Sequence, residues 1–182
     1  MLRAVQQGDA KQVAEVLRES FNEYAGRLDP PSGALSETEE SIIEKLRTSQ
    51  AFVIESDGGI VACVFCQVQG EDFYLSRLGV LPRYRRQGLA QRLIEKVEER
   101  AHEIGVSRVR LGTRLANPRN IEYYKRLGYE HVSEGVHPQT GIAFYAVMVK
   151  EMPRSLGEST PPRNTDCTSS ADREDAQRPP HP

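Results

Sequence analysis

The run from Leu75 to Ile104, LSRLGVLPRYRRQGLAQRLIEKVEERAHEI, restricts the fold of this chain more than any other part of it. An apolar stretch ends at Val80-Leu81-Pro82, where proline removes the donor that a central ladder needs. Arg83 to Gln87 is too basic and polar for a core. From Gly88 the period changes. Leu89, Leu93, Ile94, Val97, Ala101 and Ile104 share one helical face, while Glu95, Lys96, Glu98, Glu99 and Arg100 fall mostly elsewhere. Gly105 is a natural stop. The stretch reads as a strand, a tight basic turn and a long amphipathic helix.

A strand that turns at a glycine into a helix start can hold an anion. The first turn of a helix leaves backbone N–H groups unpaired, and the helix dipole adds partial positive charge there. Here the turn is Arg85-Arg86-Gln87-Gly88-Leu89-Ala90. Gly88 lets a ligand approach the backbone, Ala90 keeps the next position small, and Arg85 and Arg86 carry charges suited to phosphate oxygens. These residues predict a phosphate site, sized for a pyrophosphate. The bland alternative is an arginine-rich surface turn at the start of an ordinary helix.

In chain order, Leu2 to Val5 predicts a short strand, and Asp9 caps a helix running to about Tyr24 with Val13, Val16, Leu17 and Phe21 as its stripe. Ala25 to Leu35 is a loop, since Pro30, Pro31 and Gly33 exclude regular structure. Ser36 and Glu39 form a capping box for a helix through Arg47. Ala51–Glu55 and Ile60–Gln69 are strands around the hairpin signal Asp57-Gly58-Gly59. Phe73 to Val80 is the next strand, and Ser107 to Gly112 follows the long helix with Val109 and Leu111 on one face. Asn117 caps a further helix that has Pro118 at its first position and carries Ile121, Tyr124 and Leu127 to a stop at Gly128. Tyr129–Ser133 and Ile142–Lys150 are the last strands. This order predicts a mixed α/β sheet with helices on both faces, and a right-handed parallel crossover from Leu75 to Gly112.

The spacing Arg-x-x-Gly-x-Ala after this strand and Pro82 resembles the acetyl-CoA loop of the GNAT family of N-acetyltransferases. A second stretch, LGTRLANPRNIEYYKRLGYE, strengthens the resemblance: Asn117, Tyr124, Gly128 and Tyr129 stand where that family carries an asparagine, a tyrosine, a glycine and an aromatic. The resemblance covers about Leu2 to Lys150. It implies a mostly antiparallel sheet of six to seven strands with a central, splayed parallel pair. It implies that acetyl-CoA enters the splay. Main-chain groups of Leu78, Gly79 and Val80 would bond the pantetheine arm and polarise the thioester. Arg85, Arg86, Gln87, Gly88, Leu89, Ala90 and Gln91 would take the pyrophosphate, and Asn117 would bond the pantetheine. Tyr124 would be the general acid. The chemistry agrees, because a phenol with pKa about 10 can donate to a thiolate of a thiol near 8.5 in a dry cleft.

The implied activity is acetyl transfer from acetyl-CoA to a primary amine of a small molecule or peptide by direct attack. The base stays unassigned. Where one branch of the family has a glutamate in its fifth strand, this chain has Gly112. Glu71 and Asp72 could act through water or could be a solvated turn; Ser76 and Tyr74 could line the pocket. Substrate choice is expected from Ala25–Leu35 and Gly135–Gly141, and His131 and His137 are expected at the surface. A non-catalytic acyl-CoA-sensing module is the alternative. Simple nucleotide binding is a third reading, without the full glycine motifs of a phosphate loop or a dinucleotide site.

Composition adds bounds. The net charge of −2 gives no reason to expect nucleic acid or an acidic membrane as a partner. There is no apolar run of membrane-spanning length and no signal core in MLRAVQQGDA, so the cytoplasm is the default compartment. A homodimer stays open. Cys63 and Cys66 sit inside an apolar strand and read as small buried hydrophobes, not a redox or zinc pair. The organisation expected is a GNAT domain over 1–151 and a disordered, proline-, serine- and threonine-rich tail over 152–182.

Overall fold

The computed structural model describes residues 1–137 and 140–153. Its elements are β1 (Leu2–Ala4), α1 (Ala10–Phe21), α2 (Glu39–Lys45), β2 (Gln50–Ser56), β3 (Gly59–Gln69), β4 (Asp72–Val80), α3 (Leu89–Glu103), β5 (Arg108–Arg114), α4 (Pro118–Arg126), β6 (Glu130–Val136) and β7 (Ala143–Glu151). The strands form one seven-stranded sheet in the order β1-β2-β3-β4-β5-β7-β6. Only β4 and β5 run parallel.

Asp57 and Gly58 both take positive φ, 51° and 78°, as a tight turn matched to strand twist requires. They join β2 to β3. Ile60 to Cys66 of β3 are all buried, so both pleat faces are covered. Helices α1 and α3 both pack on β3 and β4 and provide that cover. Val13 and Leu17 of α1, Leu93, Ile94 and Val97 of α3, and Val109, Leu111 and Met148 of the sheet are fully or almost fully buried. Cys63 and Cys66 are buried free thiols in the same core.

Several expected boundaries move. The cap of α2 is Thr38, in a reciprocal pair with Ser41, and not Ser36. Ser36 closes a 3-10 turn over Gly33–Ser36, and Glu37 stays extended, which lets its carboxylate reach inward to Arg77. Helix α1 ends at Phe21 and a 3-10 turn continues to Tyr24. The Asp9 carboxylate binds Arg3 and the Gln6 N–H and does not cap α1. Strands β5 and β6 outrun their expected ends because β7, wedged between them, pairs with both as far as Arg114 and Val136. Of the expected tail, residues 154–182, including Cys167, lie outside the described residues, as do 138–139 of the Gly135–Gly141 loop.

Candidate active site

The sheet splits at its parallel pair. Phe73, Tyr74 and Leu75 pair with Val109, Arg110 and Leu111, and the ladder stops there. From Ser76 to Val80 one edge of β4 has no strand beside it. The other edge carries a bulge: Phe65 opposes Ser76 and Cys63 opposes Gly79, so Arg77 and Leu78 share one partner position. Arg77 adopts φ 53°, rare for a side-chain-bearing residue. Its guanidinium Nε donates to Glu37 at 2.8 Å, and Nη2 lies against Gly33, where a Cβ would come within 2.7 Å. Glu37 is 2% exposed and also accepts from Ser41 and Lys45. Burial pushes the Glu37 carboxyl up, but these donors outweigh it and hold it below its usual range. The bulge is therefore fixed from outside the sheet.

Beyond β4 the chain makes the basic turn. Arg86 and Gly88 are both left-handed, at φ 62° and 77°. Gly88 is the N-cap of α3 and has no side chain to satisfy the first turn. Arg92 N–H to Gly88 O is the first intrahelical bond, so the N–H groups of Leu89, Ala90 and Gln91 lie ahead of the ladder. Arg86 is exposed and makes no ion pair among the described residues. Arg85 makes contacts that its sequence position did not announce, and it lines the same cavity. Its Nε donates to Val80 O at 3.2 Å, Nη2 to Ser20 O at 2.8 Å, and Nη1 pairs with Glu23 at 2.7 Å. Its side chain ties the end of α1 to the end of β4. A cavity of about 350 Å³ lies between these segments, lined among others by Gly79, Val80, Arg86, Gly88, Ala90 and Tyr124.

A second cavity, about 430 Å³, occupies the split itself. Phe21, Tyr24, Leu78, Asn120 and Tyr124 line both cavities, so the two meet at a pair of phenols. Tyr124 is 8% exposed and stacks edge-on with Tyr123 and Tyr129 at 5.5 and 5.9 Å. Its hydroxyl makes no hydrogen bond among the described residues. Burial first, then the neighbouring Tyr123 and Tyr24, push its pKa well above the ordinary phenol value. Asn117 does not cap α4 with its side chain; its Nδ2 donates to the Tyr24 hydroxyl at 2.8 Å. Pro118 alone marks the helix start. Burial also raises Tyr24.

Part of the lining of the split is aromatic and cationic. Tyr74, Phe144, Tyr145, Arg77 and Arg114 line it, and Ser76 is among the lining residues as expected. A Cβ at Gly112 would stand 3.2 Å from the Tyr145 ring and 3.7 Å from the Tyr74 hydroxyl. The space a longer side chain would need is filled by tyrosine. Neither acid considered as a base lines either cavity. Asp72 is buried and held by Arg108 at 2.5 Å and Arg110 at 2.8 Å, beside the paired part of β4. It is a structural ion pair, not a solvated turn. His131 is exposed, and His137 stacks edge-on with Phe144 at 5.9 Å.

Tyr24, Arg114 and Tyr145 escaped the sequence reading. Tyr24 stood at the end of a helical stripe, three residues after Phe21, and that i, i+3 pair was a usable signal. Arg114 and Tyr145 meet only through β5–β7 pairing, for which no local signal exists.

These features define an α/β sheet split at its one parallel pair, with an uncapped helix start at the mouth of the split. The chain matches the acetyltransferase (GNAT) family model over residues 11–129, and it belongs to that family. Over 66 residues it is 38% identical to thialysine N-epsilon-acetyltransferase of Bos taurus, covering 36% of this chain and 39% of the relative. Over 144 residues it is 26% identical to an amino-acid acetyltransferase of Pseudomonas syringae pv. syringae, covering 75% of this chain and 32% of the relative. The chain thus spans well under half the length of these curated relatives. Among solved structures, ribosomal-protein-S18-alanine N-acetyltransferase from Escherichia coli aligns with TM-score 0.67 at 18% identity, over 88% of this chain and 99% of that one. The PaiA N-acetyltransferase of Thermoplasma acidophilum in complex with coenzyme A aligns with TM-score 0.67 at 19% identity, over 83% and 98%. At these identities the likeness is one of fold.

Proposed function

We propose that the chain is an acetyl-CoA-dependent N-acetyltransferase acting on a primary amine by direct attack. One observation carries the reading: a cavity at an uncapped helix start and a cavity in the sheet split converge on Tyr124. The N–H groups of Leu89 to Gln91, with Gly88 and Arg86, suit a pyrophosphate. The unpaired edge of Leu78, Gly79 and Val80 suits the amide-bearing arm, which would add to β4 like a strand. Asn117 acts through Tyr24 at the junction.

The amine nitrogen attacks the thioester carbonyl carbon, and the C–S bond breaks as the oxyanion collapses. Tyr124 gives its proton to the departing sulfur. Its raised pKa keeps it protonated throughout the neutral range. No aspartate or glutamate lines the split, while Arg77 and Arg114 do. Arg77 is already neutralised by Glu37, but Arg114 makes no ion pair among the described residues and disfavours an ammonium beside it. The amine therefore reacts in its neutral form, and the proton it sheds passes through solvent to the Tyr124 phenolate and restores the acid.

The test is thiol release from acetyl-CoA with a panel of amines, for the wild type and Tyr124→Phe. Amine-dependent thiol release that collapses in the variant supports the reading. Binding of coenzyme A with no thioester consumption by any amine would favour a sensing module. Full turnover by Tyr124→Phe would remove the acid assignment.

A further inference from the structure

We propose that the acceptor site in the sheet split selects small primary amines that also carry a carboxylate, with Arg114 as the carboxylate-binding residue. This rests on the acetyltransferase reading and narrows it to a substrate class. The carrying observation is a charge without a partner. Seven arginines are partly buried among the described residues: Arg3, Arg77, Arg85, Arg100, Arg108, Arg110 and Arg114. Six of them pair with a carboxylate: Arg3 with Asp9 and Glu55, Arg77 with Glu37, Arg85 with Glu23, Arg100 with Glu103, and both Arg108 and Arg110 with Asp72. Arg114 makes no ion pair among the described residues. Its Nη2 donates to the neutral Pro30 carbonyl at 2.6 Å, and its guanidinium lies 4.7 Å from the centre of the Phe144 ring. Asp29 acts on it only from beyond ion-pair distance and is itself exposed.

A half-buried guanidinium without a counter-ion is costly unless a ligand supplies one. Here the cation lines a cavity bordered by no aspartate or glutamate; Arg77, which lines it too, is already paired with Glu37. The unpaired Arg114 therefore disfavours a second ammonium and favours an anion beside it. The walls limit what lies between. Tyr145 is pressed over Gly112 and Gly135; a Cβ at Gly135 would fall 1.9 Å from its ring Cζ. Tyr74 reaches the same spot, its hydroxyl 3.7 Å from where a Gly112 Cβ would be. The result is an aromatic shelf and a cation in one cavity of about 430 Å³, which suits a small free amino carboxylate.

The experiment compares matched acceptors with the full chain and acetyl-CoA. A series of ω-amino carboxylates is set against n-alkylamines of the same chain length, and L-phenylalanine against phenethylamine. Short peptides with free or amidated C-termini test whether a peptide carboxylate serves. The amino carboxylates are expected to lead in kcat/KM by roughly 10- to 100-fold, the value of a charge-assisted hydrogen bond. Arg114→Met is expected to abolish that ratio and Arg114→Lys to restore part of it. In parallel, the melting temperature is followed with each amino carboxylate, a readout that does not need turnover. Stabilisation by the amino carboxylates that vanishes in Arg114→Met supports the site even if no acceptor reacts.

The outcomes separate the two claims. Acetylation of alkylamines at rates equal to amino carboxylates overturns the carboxylate site and leaves the acetyltransferase. A preference that survives Arg114→Met does the same. Preference for peptides over free amino carboxylates overturns the substrate class. No thiol release with any amine removes the acetyltransferase, and absence of any Arg114-dependent stabilisation then removes the site too.

Discussion

At the scale of single residues, Tyr124 and two glycines make the sharpest demands. Tyr124→Phe removes one hydroxyl from a ring already packed against Tyr123 and Tyr129, so the fold should be unaffected. Steady-state kinetics should show kcat lower by about 10²- to 10⁴-fold, the usual worth of a positioned proton donor, with KM for acetyl-CoA nearly unchanged. The pH profile follows from the same geometry. Since burial raises the Tyr124 pKa, its acid form persists up to and beyond pH 10, and kcat/KM should climb with pH along the acceptor's own ionisation. An enzyme inflection near pH 7 would mean that a base has been missed. Gly135→Ala would drive a methyl into the Tyr145 ring. A displaced shelf should cost the acceptor kcat/KM roughly 10- to 100-fold, with acetyl-CoA binding retained. Of these, the place of Tyr124 beside the two cavities was legible from its spacing to Asn117 and Gly128. The shelf was not, because Gly112, Gly135 and Tyr145 stand on three strands and meet only in register.

At the scale of elements, local chemistry foretold type better than extent. The change of period at Gly88 gave α3 correctly, and the Asp57-Gly58 turn gave its hairpin, since both signals lie within one element. Helix α2 began two residues later than its first capping signal. Two Ser/Thr caps competed, and the buried pairing of Glu37 with Arg77 decided between them. The tie that Arg85 makes was not legible for a similar reason: its acceptors, Ser20 O and Glu23, lie at and just beyond the end of α1 and are remote in sequence. The start of α3 offers the element-scale prediction. Gly88→Ala puts a Cβ at φ 77°, at a cost of about 1 kcal/mol, and narrows the approach to the open N–H groups. Melting should fall by a few degrees, and KM for acetyl-CoA should rise. Acetyl-pantetheine, which lacks the pyrophosphate, should lose nothing by the change. Equal losses with both donors would show that this turn does not hold the phosphates.

At the scale of the whole molecule, the central strand sets a limit on alkaline stability. Burial pushes Cys63 and Cys66 of β3 each up to about 12, from an ordinary value near 9. Reading them as small core hydrophobes anticipated this, because an apolar strand that is covered on both faces leaves a thiolate nowhere to be solvated. Below pH 9 both folded and unfolded chains keep these protons, and the contribution to stability is complete. Above pH 9 the unfolded chain releases them while the folded chain holds them until about pH 12. Stability therefore drains away across that window. Tyr124 and Tyr129, both raised chiefly by burial, extend the loss above pH 10. Urea midpoints should be nearly flat from pH 7 to about 8.5 and then fall steeply. The Cys63→Ala, Cys66→Ala double variant should start from a lower midpoint, because two small cavities open, yet show a shallower decline between pH 9 and 10. A decline of undiminished slope in that variant would mean that the tyrosines alone set the alkaline limit and that the central strand tolerates charge.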